Sequence, residues 1–357
     1  MKSKLLLIIF LCGQILFAQQ KMPVINATSK KVDIMDGNIF KKAYWNISPK
    51  LKPDIYETTN KNQKVTFYTN IDSISFVVKP DEKYNFIILL NNKDSALTQI
   101  VYKPYLEILK NANKYNYDDG RLISKYTYTP MNDSILVEIR KTFNLDSIIG
   151  TGNEISQIIN LLHWVHNTYP HDGTKDVPQY KSTLELMIMR KTEHGTLDCG
   201  SLANVLNKCY LAMGFKSRRV VCLPKDSTDF DCHSINMVYS ETFNKWLWID
   251  PTNDAYVMNE QGELLSIEEV RERLIDGSPL IVNPDANWNH QMSVTKEEYL
   301  YKYMAKNLYA FQCFVTTGGD SKSNVLLPVE YKGIIPRTKM NNPKCTNNPN
   351  DFWSKPE

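Results

Sequence analysis

The chain has 357 residues, 42% of them hydrophobic and 23% charged, an ordinary globular composition that leaves room for two or three domains. That composition excludes a disordered chain, a collagen and a multi-span membrane protein. The 42 Lys and Arg residues against 39 Asp and Glu leave a formal charge of +3 with no basic tract, so no nucleic-acid partner is expected.

The first element is an address. Residues 1–18 read MKSKLLLIIFLCGQILFA, with Lys2 and Lys4 before an apolar stretch and the small residue Ala18 at its end. This is the pattern of a signal peptide cut after Ala18, and it predicts a secreted or periplasmic protein. The apolar run is too short to span a bilayer, so no membrane span is expected in the mature chain. Leu11 stands before Cys12, where a lipid-anchor signal has a small residue, so Cys12 is not read as an anchor.

Residues 19–145 predict a β-rich N-terminal domain of β-sandwich-like type. Residues 64–69 and 73–78 alternate around a short Asn-Ile-Asp turn, residues 85–90 form a buried-type run, and 99–102 and 134–139 add further strands. Near residue 150 the period changes. Ile155, Ile158, Ile159, Leu162 and Val165 recur at helical spacing up to Pro170, and residues 184–190 suggest a short second helix. Residues 199–213 predict a helix with one apolar stripe of Leu202, Val205, Leu206, Cys209 and Met213, and Gly214 stands where a C-cap belongs. Strands are expected at 218–223, 233–239 and 246–250. A helix over 266–274 opens on the capping-box pair Ser266 and Glu269, and another is expected at about 296–313. The fold class is therefore α+β. An α+β core at 146–260 follows the β-rich domain, with a helical C-terminal extension at 261–330 and an irregular, proline-marked tail at 331–357.

Chemistry concentrates in the core. Asp198 is a good N-cap, which puts Cys199 in the first turn of its helix, where the partial positive charge favours a thiolate. Gly200 leaves room for a substrate beside the sulfur. Cys209, on the apolar stripe, reads as packing. The strands at 233–239 and 244–250 form a hairpin. Closing it at Tyr239 and Asn244 sets His233 opposite Asp250, so the carboxylate can hold the imidazole's tautomer and stabilise its charged form. The remaining cysteines, Cys222, Cys232, Cys313 and Cys345, are too sparse for a disulfide scaffold, and no C-x-x-C pair suggests zinc. His163, His166, His171 and Asp172 have a spacing that metal ligands use, but a site wall or plain surface is the expected role, and neither a metal nor a cofactor is predicted.

Cys199-Gly200 at a helix start, Gly214-Phe-Lys-Ser-Arg-Arg-Val220, then His233, then Trp246-Leu-Trp-Ile-Asp-Pro-Thr252 resembles the transglutaminase-like superfamily of papain-type fold. The upstream Trp164-Val165 and Asn167-x-Tyr169 resemble the helix that precedes the nucleophile in that family. The flanking segments are similar to additions in secreted bacterial members. The resemblance implies a Cys199–His233–Asp250 triad and acyl transfer through a thioester. It also implies an oxyanion donor at the Cys199 backbone N–H, with Trp164 and His194 as candidates for a second donor. A peptide or protein substrate, including cell-wall peptide, would follow, with a peptidase or amidase activity. A protein-crosslinking transglutaminase and a non-catalytic scaffold that binds polypeptide or glycan are the alternatives.

Overall fold

The strands expected between residues 64 and 102 are paired in the computed structural model. It describes residues 22–112, 114–175, 180–226, 229, 231–317, 322–329 and 343–356. Residues 1–18, expected as a signal peptide, lie outside the described residues. Among the described residues, no helix is long and apolar enough to cross a membrane.

The chain divides into two units at Lys103 and Pro104. The described part of the first contains β1 (Val24–Ala27), β2 (Lys31–Asp36), β3 (Ile39–Asn46), β4 (Asp54–Thr58), β5 (Gln63–Tyr68), β6 (Ser73–Val78), β7 (Lys83–Leu90) and β8 (Asp94–Tyr102). They form two four-stranded sheets, ordered β1-β7-β8-β4 and β3-β2-β5-β6. Alternate residues of each sheet turn inward to one core, where Phe67 on β5 meets Phe86 on β7 edge-on at 5.2 Å.

The second unit begins earlier than the sequence boundary at 145. Its helix α1 (Tyr105–Lys110) buries Leu109 among Leu300, Met304 and Leu308 of the same unit. Residues 134–139, expected as a strand, are instead part of α2 (Ser134–Thr142). Asp133 caps this helix by accepting from the N–H groups of Ile135 and Leu136. Leu136 and Ile139 then bury one face, leaving Ile135 and Val137 exposed. A strand period and a helix period compete in so short a run, and the cap with its two buried contacts decides for the helix.

Next come α3 (Leu145–Ile149), α4 (Glu154–Thr168), α5 (Thr183–Glu193) and α6 (Cys199–Ala212), then β9 (Ser217–Leu223), β10 (His233–Ser240), β11 (Lys245–Asp250) and β12 (Ala255–Met258). Gly214, at φ +90°, ends α6 in the left-handed region that glycine tolerates. After α7 (Ile267–Asp276) lie the short strands β13 (Ile281–Val282), β14 (Asn287–Trp288) and β15 (Met292–Ser293). The π-helical α8 (Glu297–Met304) runs on as α-helix to Asn307. The chain then forms β16 (Ala310–Phe314), β17 (Ser323–Leu326), β18 (Lys344–Thr346) and α9 (Pro349–Phe352). The helix expected to reach residue 313 therefore stops at 307, and β16 pairs with β9. The residues Ala310-Phe-Gln-Cys are all buried, and a buried run carries no period that separates strand from helix. The extension thus supplies helices and also strands, and within the tail β18 and α9 are ordered elements.

One sheet organises this unit, in the order β13-β12-β11-β10-β9-β16-β17-β18. Val238, Leu247 and Ile249 on one face pack against Leu202, Val205 and Leu206 of α6 and Ile158, Leu162 and Val165 of α4. On the other, Ile235, Met237 and Trp248 pack with Val270 and Leu274 of α7 and Leu300 and Met304 of α8. The Asn236 amide donates to the Ala203 carbonyl at 2.9 Å, tying α6 to β10.

The hairpin register differs from the expected one by two residues. β10 and β11 pair Ser240 with Lys245, Tyr239 with Trp246 and Asn236 with Ile249. The loop is residues 241–244, closed by Asn244 in the left-handed region at φ 52°. The Glu154 carboxylate clamps it, accepting from Ser240 Oγ at 2.6 Å and from the N–H groups of Glu241 and Thr242 at 2.8 and 3.0 Å. A shift of two keeps every side chain on its face, whereas a shift of one would have sent His233 and Asp250 to opposite faces.

Candidate active site

Cys199 opens α6 because Asp198 caps it. The Asp198 side chain accepts from the Ser201 N–H at 2.6 Å, so its charge is spent on the helix amides. The chain before it is anchored by the Leu197 N–H on the Pro170 carbonyl and the Asp172 N–H on the Leu197 carbonyl, both 2.9 Å. That bridge sets His171 beside Leu197.

Three donors converge on the half-buried sulfur: the side chains of His171 and His233 and the backbone N–H of Ser234. Burial alone would push the thiol up. The hydrogen bonds from His171 and His233, with the charge of His233, outweigh it and bring the thiol down to about 6.

His233 begins β10 and is buried. Its Nε2 lies 2.8 Å from Asp250 Oδ2, which leaves Nδ1 for the Cys199 sulfur. The Tyr303 ring packs on it at 5.2 Å. Burial opposes the imidazolium, but the charge and hydrogen bond of Asp250, with those of Cys199, raise His233 to about 10. Between these two values the pair is thiolate and imidazolium.

Asp250 ends β11, fully buried. Burial would raise its carboxyl, yet His233 and the hydrogen bonds it accepts hold it below the usual range. Those bonds come from Tyr299 OH at 2.6 Å, Asn253 Nδ2 at 2.9 Å and the Thr252 N–H at 2.9 Å. The turn at Pro251 and Thr252 therefore serves the carboxylate by folding the Thr252 N–H back on it.

The other expected residues lie as follows. Trp164 packs on Phe143 at 5.7 Å and on Tyr169 at 6.1 Å. His194 is exposed at the left-handed C-cap of α5. Neither is among the hydrogen-bond partners of the sulfur. A Cβ on Gly200 would meet Asp198, Arg219 and Ser234 at 3.5 to 3.8 Å, which are ordinary contacts, so the backbone does not demand glycine there. The Gly200 carbonyl accepts from Arg219 Nη1 at 3.2 Å.

His171 belongs at this centre, although its sequence setting pointed to no role beyond a metal ligand or site wall. Its Nδ1 accepts from Trp288 Nε1 at 3.0 Å, and Asn289 holds its backbone through the N–H at 2.7 Å and the carbonyl at 2.8 Å. A histidine just after Tyr169-Pro170, where the helix must stop, was the only local signal. Trp288 and Tyr299 carried none, because they lie far along the chain.

The remaining histidines of that group go to separate partners. His166 Nδ1 meets the Pro251 carbonyl and its Nε2 meets Asn287 Oδ1, both at 3.0 Å. His163 Nδ1 meets both oxygens of Asp254, at 2.7 and 2.8 Å, and that hydrogen bond raises its pKa. His163, Asp254 and Asp285 place ligand atoms within 4.8 Å of one another and could share a cation. Cys209, Cys222 and Cys313 are buried free thiols, and burial pushes each of them up. The arrangement thus sets Cys199 apart from these buried thiols, with an imidazole hydrogen-bonded to its sulfur and a carboxylate behind that imidazole.

No family model matches the chain, and no curated protein matches it. Among solved structures it is similar to a Cytophaga hutchinsonii protein described as a cysteine protease, at 15% identity over 42% of this chain and 46% of that one, with a TM-score of 0.26. Legionella pneumophila LapG matches at 15% identity over 51% of this chain and 98% of its own, with a TM-score of 0.26. Red sea bream transglutaminase matches at 9% identity over 65% and 49%, with a TM-score of 0.24. The first of these matches takes in about half the length of the Cytophaga protein. Likenesses this distant carry no weight for activity.

Proposed function

We propose that the chain is a secreted, transglutaminase-like cysteine acyl-transfer enzyme that hydrolyses amide bonds of peptide or cell-wall substrates. The observation that carries this reading is the 2.8 Å contact of His233 Nε2 with Asp250 Oδ2, on a ring whose other nitrogen serves the Cys199 sulfur. The thiolate attacks the amide carbonyl, and the carbonyl π pair moves to oxygen. The first amides of α6 have no partner within the helix and carry its positive end, so they favour that oxyanion. On collapse, the imidazolium gives its proton to the departing amine and a thioester remains. His233 then takes a proton from water, whose oxygen attacks the thioester carbonyl; the S–C bond breaks, the acid is released and the sulfur leaves as thiolate beside the imidazolium. The signal-like residues 1–18 support the extracytoplasmic setting.

The test is a library of peptides and cell-wall stem peptides, read by mass spectrometry for paired new carboxyl and amine termini. Wild type should generate such pairs and Cys199→Ala none. If Cys199→Ala cleaves like wild type, the reading fails. If products form only when a primary amine is added and retain that amine, the activity is cross-linking rather than hydrolysis.

A further inference from the structure

Trp288 fixes the chemistry of His171. An indole N–H only donates, so at 3.0 Å it requires a lone pair on His171 Nδ1. An imidazole with an unprotonated Nδ1 is neutral and carries its proton on Nε2. The Asn289 amide grips the backbone of His171 on both sides, and the bridge sets His171 beside Leu197, two residues before the nucleophile. The Nε2–H is thus left to face the sulfur, which counts His171 among its hydrogen-bond donors.

From this geometry we propose that His171 is the side-chain oxyanion donor of the acyl-transfer reaction, and that Trp288 is the positioning residue that keeps it a neutral donor. The inference rests on the acyl-transfer reading and deepens it. A neutral donor suits the task. It can stabilise the developing O⁻ without giving up a proton, whereas an imidazolium there would compete with His233 for the thiolate's charge. During acylation, the sulfur–carbon bond forms and the carbonyl pair moves to oxygen, where His171 Nε2–H and the Cys199 backbone N–H receive it. Collapse restores the carbonyl and breaks the bond to the leaving group.

Two reagents separate this role from simple support of the thiolate. 4-Nitrophenyl acetate acylates through a tetrahedral oxyanion and releases 4-nitrophenolate, which needs no proton. Iodoacetamide alkylates by displacement of iodide and forms no oxyanion. Both rates are measured on the full chain at pH 9, where the thiol is ionised. His171→Ala should slow acylation about 10²–10³-fold and alkylation by less than about threefold. His171→Gln, which restores an N–H donor, should recover most of the acylation. Trp288→Phe should slow acylation less than His171→Ala does. Its loss should fall on acylation and leave alkylation within about threefold of wild type, which a general loosening of the site would not do.

Equal losses in both reactions for His171→Ala, or acylation that persists, would overturn the assignment while leaving the acyl-transfer reading in place. A wild-type protein that is alkylated at Cys199 but never acylated would overturn both. Labelling confined to Cys199, with the buried Cys209, Cys222 and Cys313 left unlabelled, shows that each variant keeps its fold.

Discussion

Tyr299 donates its hydroxyl to Asp250 Oδ2 at 2.6 Å, the same oxygen that holds His233. The tyrosine comes from α8, so the carboxylate behind the imidazole is fixed by a segment outside the hairpin. The Tyr299 oxygen in turn accepts from Trp248 Nε1 at 3.2 Å, and all these groups are buried. Tyr299→Phe should therefore cost about 1.5–3 kcal/mol of stability, because it removes a hydrogen bond to a buried charge and strands the indole N–H. Urea midpoints measure the loss, and an unchanged midpoint would refute the buried contact.

Substitutions at the centre should separate by role. Cys199→Ala should abolish turnover and leave the fold, since it removes one half-buried thiol. His233→Ala should be nearly as severe, and the double variant no worse than either, because the groups act as a unit. Asp250→Asn should cost about 10²–10⁴-fold in turnover by disturbing the tautomer. Cys209→Ala, in the core, should cost about 1 kcal/mol of stability and nothing in turnover. Rates on any peptide that wild type cleaves, with denaturation curves, decide each case.

The pH dependence follows from the two shifts. Cys199, brought to about 6 by its hydrogen bonds against the effect of burial, should be alkylated at a rate that rises through pH 6 and then levels. An ordinary thiol would rise near ~8.5. Turnover on amides should also fall as His233 loses its proton at about 10, because the leaving amine then lacks an acid. A profile rising only near 8.5 would show that no ion pair forms.

Glu154 should make stability acid-sensitive. Burial works to raise its carboxyl, but the hydrogen bonds from Ser240, Thr242 and Glu241 lower it overall. A carboxylate with a depressed folded pKa stabilises the protein above its unfolded pKa of ~4.3, and that contribution is lost as pH falls through the folded value. Glu154→Ala should cost about 1–3 kcal/mol near neutrality and flatten the acid limb of the stability curve. Chemical denaturation from pH 3 to 7 measures both. If the variant keeps the full acid limb, the clamp on the hairpin loop contributes nothing.

Much of the centre was legible locally. Asp198 before Cys199 is enough to start a helix at a cysteine, since capping involves residues three apart. A hairpin brings its own ends together, so the neighbourhood of His233 and Asp250 was readable even though the register was off by two. That parity was preserved because the strand period is two. The alternation of β5 and β6 was equally plain.

What the local pattern could not decide depended on partners far along the chain. Residues 134–139 fit either period until Leu136 and Ile139 found a buried face. Residues 310–313 read as helix until β9 supplied a strand to pair with. Most of all, His171 took its place beside the sulfur only through Trp288 and Asn289, and Asp250 its full hydrogen-bond set only through Tyr299. A sequence encodes periods, caps and turns within a few residues of each other. Which distant donor fills the last lone pair of a buried group is settled only when the whole unit packs, because only then does leaving it unfilled carry a cost.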